Sequence, residues 1–169
     1  RNALLCMEDR DFYEHNGINI KGILRAIIVN IISMSTKQGA STLTQQLARN
    51  MYNDLSKKYQ IGSKKTIVRK LKEFITAVKI EQTYTKSEIL ELYLNSVYFG
   101  HGNYGIQSAS NYYFSKDASD LTLNESAVLI GLLPAPAIYS PVNHPDRIIK
   151  RRNLVLNVML NQGYISEKQ

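Results

Sequence analysis

Four blocks of this sequence hold more carboxylates, cations, hydroxyls, amides and glycines than a core or a solvated surface needs. The first is Glu8-Asp9-Arg10-Asp11-Phe12-Tyr13-Glu14-His15-Asn16-Gly17, where carboxylates lie between an apolar run ending at Met7 and the aromatic pair Phe12-Tyr13. A carboxylate at such a seam can be partly desolvated, which strengthens its hold on a proton and suits it to proton transfer. A solvated turn with an Arg10 ion pair explains the same residues. The second block, Gly39 to Asn50, places Ser41 and Thr42 before an apolar-periodic segment and spaces Gln45 and Arg49 at i,i+4. Hydroxyls beside the free N–H groups of a helix start form an anion site, or they simply cap the helix.

The third block is Arg69-Lys70-Leu71-Lys72-Glu73. With about 100° between successive residues, Lys65, Arg69 and Glu73 share the edge opposite the apolar stripe, so one carboxylate lines up with two cations on the face away from the core. That edge is either a solvated ion-paired surface or a grip for a diphosphate. The fourth runs from Lys86 to Asn95 and on through Tyr98-Phe99-Gly100-His101-Gly102-Asn103-Tyr104-Gly105. Aromatics interleaved with glycine and amides suit carbohydrate, but taken alone this loop reads as structural. His15, His101 and His144 show no metal-ligand spacing with cysteine or carboxylates, so no structural zinc site is expected.

The elements that must hold these blocks are helices. Ile20, Ile23, Leu24, Ile27, Ile28, Ile31 and Ile32 recur on one helical face, with Val29 on its flank. A segment this rich in isoleucine is either deeply buried, the first expectation, or rests against lipid. Thr42 with Gln45, Thr85 with Glu88 and Thr122 with Glu125 have capping-box spacing and open three more helices. Residues 54–65 carry no period and read as a mobile basic loop. Helix resumes near Lys65 through Ile67, Val68, Leu71, Phe74, Ile75 and Val78. Further helices are expected over Ile106 to Phe114, up to Pro134, and from Pro145 to just before Gly163. No segment alternates as a strand would, and no repeat is present.

The 169 residues suit a single domain, and the composition is that of a folded globular protein. The formal charge of +7 points to anionic partners: nucleic acid, phospholipid headgroups or a phosphorylated substrate. Cys6 is the only cysteine and reads as a small buried hydrophobe, so no intrachain disulfide forms. No stretch approaches the roughly 18 apolar residues of a membrane span. The opening run Ala3 to Met7 already reads as core, which suggests a piece of a longer protein.

Taken in order, the blocks resemble the peptidoglycan glycosyltransferases of glycosyltransferase family 51, found in class A penicillin-binding proteins and monofunctional transglycosylases. The resemblance rests on Glu8, Asp9, Phe12, His15 and Gly17; on Gly39, Ser41, Thr42, Thr44, Gln45 and Gln46; on Arg69, Lys70 and Glu73; on Glu88 to Asn95 with the Tyr-Phe-Gly and Tyr-Gly-Ile steps; and on Arg151 to Leu156. It covers nearly the whole chain. Ala40 stands where the family often has glycine, Asn19 where aspartate is common, and Arg49 where lysine is frequent.

The resemblance implies an all-α, lysozyme-like head lobe with a smaller mobile jaw against the membrane, the jaw lying within about residues 20–65. It implies that lipid II, an undecaprenyl-diphosphate disaccharide-pentapeptide, is polymerised into glycan strands at the outer face of the bacterial cytoplasmic membrane, with the anchor outside this chain. Glu8 would be the general base and Glu73 the second catalytic carboxylate, orienting cations or holding a divalent Mg or Mn ion at the diphosphate. Asp9, Ser41, Gln45, Gln46, Arg49, Asn50, Lys65, Arg69 and Lys70 would bind substrate, the cations stabilising the leaving diphosphate. Other cell-wall synthesis proteins would be partners; nucleic acid would not. Two rivals remain: a lysozyme-like glycoside hydrolase using Glu8 and Glu73 as paired carboxylates, and a non-catalytic basic helical module for membrane or nucleic acid.

Overall fold

A helix must satisfy its first backbone N–H groups, and threonine followed three residues later by glutamate does so reciprocally. In a computed structural model of the protein, which describes residues 1–32, 39–59 and 66–168, with 52–59 and 66–67 described by backbone only, both such boxes close. The Thr85 N–H donates to Glu88 at 2.7 Å and the Glu88 N–H to the Thr85 hydroxyl at 3.4 Å. Thr122 and Glu125 do the same. Thr42 also caps its helix, accepting from the Gln45 N–H at 3.2 Å, but the Gln45 side chain is directed elsewhere.

The helices are α1 Asn2–Glu8, α2 Ile20–Ile32, α3 Leu43–Tyr59, α4 Thr66–Thr83, α5 Lys86–Ser96, α6 Ile106–Phe114, α7 Leu123–Leu132 and α8 Pro145–Asn161, with a 3-10 turn at Ala118–Asp120. Among the described residues the only β pairing is an isolated bridge between Tyr98 and Tyr104. The expected all-α architecture is therefore found. Two elements differ from expectation. The run Ala3 to Met7 is part of a helix, too short to show a period in sequence. The helix that Thr42 caps continues to Tyr59, through the first half of the stretch expected to be loop; residues 60–65 lie outside the described residues.

The chain divides into two compact units, Arg1–Arg10 with Glu91–Gln169, and Asp11–Leu90, the boundary falling within α5. In the first unit α1 packs on α7 and α8. Its core is apolar: Leu4, Leu5, Ala127, Leu129, Leu132, Val155 and Met159 are buried. The loop after α5 belongs to this unit and satisfies itself. Asn103 is buried and its amide donates to the Gly100 and His101 carbonyls, while Tyr113 donates to the Phe99 carbonyl at 2.9 Å. His101 stacks on Tyr112 and meets the buried Ser140 hydroxyl at 2.8 Å. The structural reading of that aromatic loop is the one its hydrogen bonds favour.

The second unit buries Phe12, Leu43, Leu47, Ile80 and Ile89, and adds polar side chains to that core. Of α2 only Gly22 and Ala26 are buried; Ile23 is half-buried, and the other large apolar residues are exposed, from 37% at Val29 to 77% at Ile32. This corrects the first expectation of a buried helix: its fully buried residues are the small pair at i,i+4. The third block is corrected as well. Glu73 is fully buried, whereas Val68, Leu71 and Ile75 are exposed, Leu71 by 57%. The polar edge of α4, expected to face away from the core, is the edge that packs on α3, because α3 carries its partner cation.

Candidate active site

Glu8 closes α1 and Asp9 follows as its C-cap, its N–H donating to the Leu5 carbonyl. Asp9 is buried and Glu8 half-buried, so the carboxylates stand at the end of a helix whose other residues, from Ala3 to Cys6, are core.

The second block and the third meet within the other unit. Arg49 on α3 reaches Glu73 on α4 with two hydrogen bonds, Nε to Oε1 at 3.0 Å and a terminal nitrogen to Oε2 at 3.2 Å. Lys70 Nζ lies 2.8 Å from Glu73 Oε2, and Arg69 Nε 3.4 Å from Oε1. Lys70 also donates to the Ser41 hydroxyl at 3.0 Å. Burial works to raise the pKa of the Glu73 carboxyl, but hydrogen bonds from Arg49 and Lys70, with their charges, outweigh it and hold the group below its ordinary value. Glu73 is thus an ionised anchor. Arg49, Arg69 and Lys70 against one carboxylate leave a surplus of two positive charges, and all three cations are partly exposed. This is a fixed cation cluster open to an anion.

The loop after Asp9 is fastened to the same pair of helices. The Gly17 carbonyl accepts from the Thr42 hydroxyl at 2.7 Å and from the Gln45 amide at 3.3 Å. That contact takes the Gln45 side chain, which is buried and holds the loop. Gly17 has φ +84°, and a Cβ there would sit 2.9 Å from the Ala77 backbone, so conformation and space both demand glycine. Asn19 accepts from the Gly22 N–H at 2.7 Å, capping α2, and donates to Asp11 at 2.8 Å. An aspartate there would face the Asp11 carboxylate, so asparagine suits this chain. Ala40 does not lie in the left-handed region, and its side chain is accommodated.

Among the remaining expected site residues, Gln46 and Asn50 are half-buried on α3. Lys65 lies outside the described residues. A second buried acid went unremarked in the sequence: Glu81, to which Thr44 donates at 2.6 Å and which Lys86 meets at 2.8 Å. The spacing of Glu73, Ala77 and Glu81 at i, i+4 and i+8 puts the two acids on one edge of α4, the one hint the sequence held.

A divalent ion does not fit at Glu73, whose two oxygens are occupied by three cations. Among the described residues no group of three His, Cys, Asp or Glu side chains comes together. No step below is routed through a metal.

The described residues form a helical domain in which one buried acid organises three partly exposed cations. The chain belongs to the transglycosylase family, whose pattern matches residues 1–160. It is 47% identical over all 169 residues to penicillin-binding protein 1F of Bacillus subtilis, covering 22% of that protein. It is 47% identical to penicillin-binding protein 1A of Escherichia coli over 99% of this chain and 19% of that one, and 46% identical to penicillin-binding protein 1A of Aquifex aeolicus over 99% and 22%. The chain thus spans about a fifth of the length of these relatives. A crystal structure of penicillin-binding protein 1A from Haemophilus influenzae aligns with 49% of this chain at 44% identity and a TM-score of 0.48, covering 12% of that chain.

Proposed function

We propose that this domain is a peptidoglycan glycosyltransferase that polymerises lipid II into glycan strands and releases undecaprenyl diphosphate. The observation that carries the reading is Glu73: fully buried, held ionised, and organising three cations. A hydrolase needs a carboxylic acid to protonate its leaving group. An acid whose pKa is depressed donates poorly, and a diphosphate leaves without a proton where cations stabilise the charge that grows on it. Family membership supports the same reaction.

In that reaction Glu8 accepts the proton of the acceptor sugar's hydroxyl as its oxygen attacks the donor's anomeric carbon. The bond from that carbon to the diphosphate oxygen breaks, and the electron pair leaves with lipid diphosphate. Arg49, Arg69 and Lys70 meet the departing charge, Ser41 supports Lys70, and Gln45 holds the loop. Asp9, Gln46, Asn50 and Lys65 complete the proposed substrate contacts. The exposed isoleucines of α2 and the outward Val68, Leu71 and Ile75 of α4 rest in the outer surface of the cytoplasmic membrane, where the lipid substrate resides. Among the described residues no helix is long and apolar enough to cross a membrane. The growing strand and other cell-wall synthesis proteins are the partners this reading implies.

Glu8→Gln keeps the shape of the side chain and removes its basicity. Polymer formed from labelled lipid II should fall to near background while lipid II binding survives. Arg69→Ala should also cut turnover by orders of magnitude without unfolding the domain, since Arg69 is 53% exposed. Wild-type cleavage of uncrosslinked glycan, with no polymer from lipid II, would replace this reading with the hydrolase.

A further inference from the structure

Besides Glu73, the inner face of α4 carries Glu81, whose side chain is almost fully buried. Its surroundings form a second network. Lys86, the first residue of α5, lies 2.9 Å from Glu81 Oε1 and 2.8 Å from Oε2, donates to the His15 carbonyl, and stands 4.4 Å over the Phe12 ring. Thr44 on α3 donates its hydroxyl to Glu81 at 2.6 Å. Four segments converge on this one ion pair: the loop after Asp9, the start of α3, the end of α4 and the start of α5.

The two acids grip α3 at two points. Glu81 holds Thr44 near the helix start, and Glu73 holds Arg49 five residues on. Because the early residue of α3 meets the late residue of α4, the helices run antiparallel. A slip of α3 by one residue moves it about 1.5 Å and turns it about 100°. Such a slip removes Thr44 from Glu81 and Arg49 from Glu73 together. Lys86 keeps the arrangement affordable, since a buried carboxylate without a cation is strongly destabilising.

We propose that Glu81 and Lys86 are positioning residues: their buried ion pair fixes the register of α3 on α4 and thereby the geometry of the Ser41, Arg49, Lys70 and Glu73 cluster. Their effect on polymerisation rests on the function proposed above; the register itself does not.

The test uses the full-length protein carrying Lys86→Met, Lys86→Arg and the charge-balanced double variant Glu81→Gln/Lys86→Met, which leaves no buried charge unpaired. Two properties are measured for each. One is the nitrogen resonance of the Arg49 Nε–H, hydrogen-bonded to Glu73. The other is lipid II turnover per folded molecule. In Lys86→Met and the double variant the Arg49 signal should shift, and kcat should fall by about tenfold to a hundredfold with KM little changed, the cost of a misplacement near 1 Å. Lys86→Arg should restore both. An unmoved Arg49 signal with unchanged kcat per folded molecule, accompanied only by a lower melting temperature, would make the pair a fold staple and overturn the proposal. Should the wild type form no polymer while the Arg49 signal still responds to Lys86→Met, the register coupling stands and the transferase reading alone falls.

Discussion

The two units differ in what they add to an apolar core. The Arg1–Arg10 and Glu91–Gln169 unit hides leucines, isoleucines, valines and methionine, and its buried polar residues are Asp9 at the end of α1 with Asn103, Ser110 and Ser140. The Asp11–Leu90 unit also buries apolar side chains, among them Phe12, Leu43, Leu47, Ile80 and Ile89, but adds Thr42, Thr44, Gln45 and Glu73 to that interior and displays isoleucines of α2 and the apolar edge of α4. Water drives apolar surface inward, so the second arrangement is stable only where its interior polar groups are matched and its outer surface meets something less polar than water. Matching is visible at Glu73, Gly17 and Glu81. The cations proposed to meet the diphosphate sit where a counter-ion has been taken inside, and burial of Glu73 holds that counter-ion in place.

The largest test of this contrast is to strike each interior in its own terms. Glu73→Gln removes the charge that holds three partly exposed cations, and losing those charge-assisted hydrogen bonds should cost about 1.5–3 kcal/mol, read from the urea midpoint. Leu4→Ala, in the apolar interior, should cost about 2–5 kcal/mol through lost transfer energy and a cavity. If Glu73→Gln is neutral while Leu4→Ala is not, the polar interior is decoration and the comparison fails.

Acid should separate the units next. The folded-state pKa of Glu73 is depressed, so the stability it contributes is complete above the ordinary carboxylate value of 4.5 and is lost as pH falls through the lower folded value. Arg49→Ala removes the largest hydrogen-bond contribution, and its acid unfolding should begin at a higher pH than that of the wild type. An identical acid profile for the two proteins, followed by circular dichroism, would mean that the pair adds nothing.

The smallest effect on stability is expected at the outer apolar surface. Ile27→Ser with Ile31→Ser should change folding stability by no more than about 0.5 kcal/mol per site, yet flotation with anionic liposomes should be reduced. Unfolding of the double variant would place these residues in a core after all.

The sequence made the helices legible wherever a period or a cap marked them: Ile20 to Ile32, the Thr-x-x-Glu starts, Pro145 and the stop before Pro134. It also brought Arg69, Lys70 and Glu73 to one helix, and the family resemblance placed Glu8 at the head of the chemistry. What it concealed was direction. Periodicity tells which residues of α4 share a face but not which face turns inward, and the ordinary rule that apolar residues go inside gave the wrong side. The answer depended on Arg49, 24 residues earlier, supplying the charge that lets Glu73 be buried. Glu81 was hidden for the same reason: its partners Thr44 and Lys86 are 37 and 5 residues away, and neither separation has a signature in one dimension.

One feature of the chain path sets an order of events during synthesis. The unit that contains α1 is discontinuous: its first ten residues leave the ribosome before the intervening 80 and before α7 and α8, the helices on which α1 packs. The Asp11–Leu90 unit is continuous and has all of its own residues available earlier. Domains generally form as their segments emerge. The helix bearing Glu8 can therefore complete its packing only once α8 has been made, and a nascent chain halted before residue 145 would hold the cation cluster's residues and α7 but only part of the surface on which Glu8's helix packs.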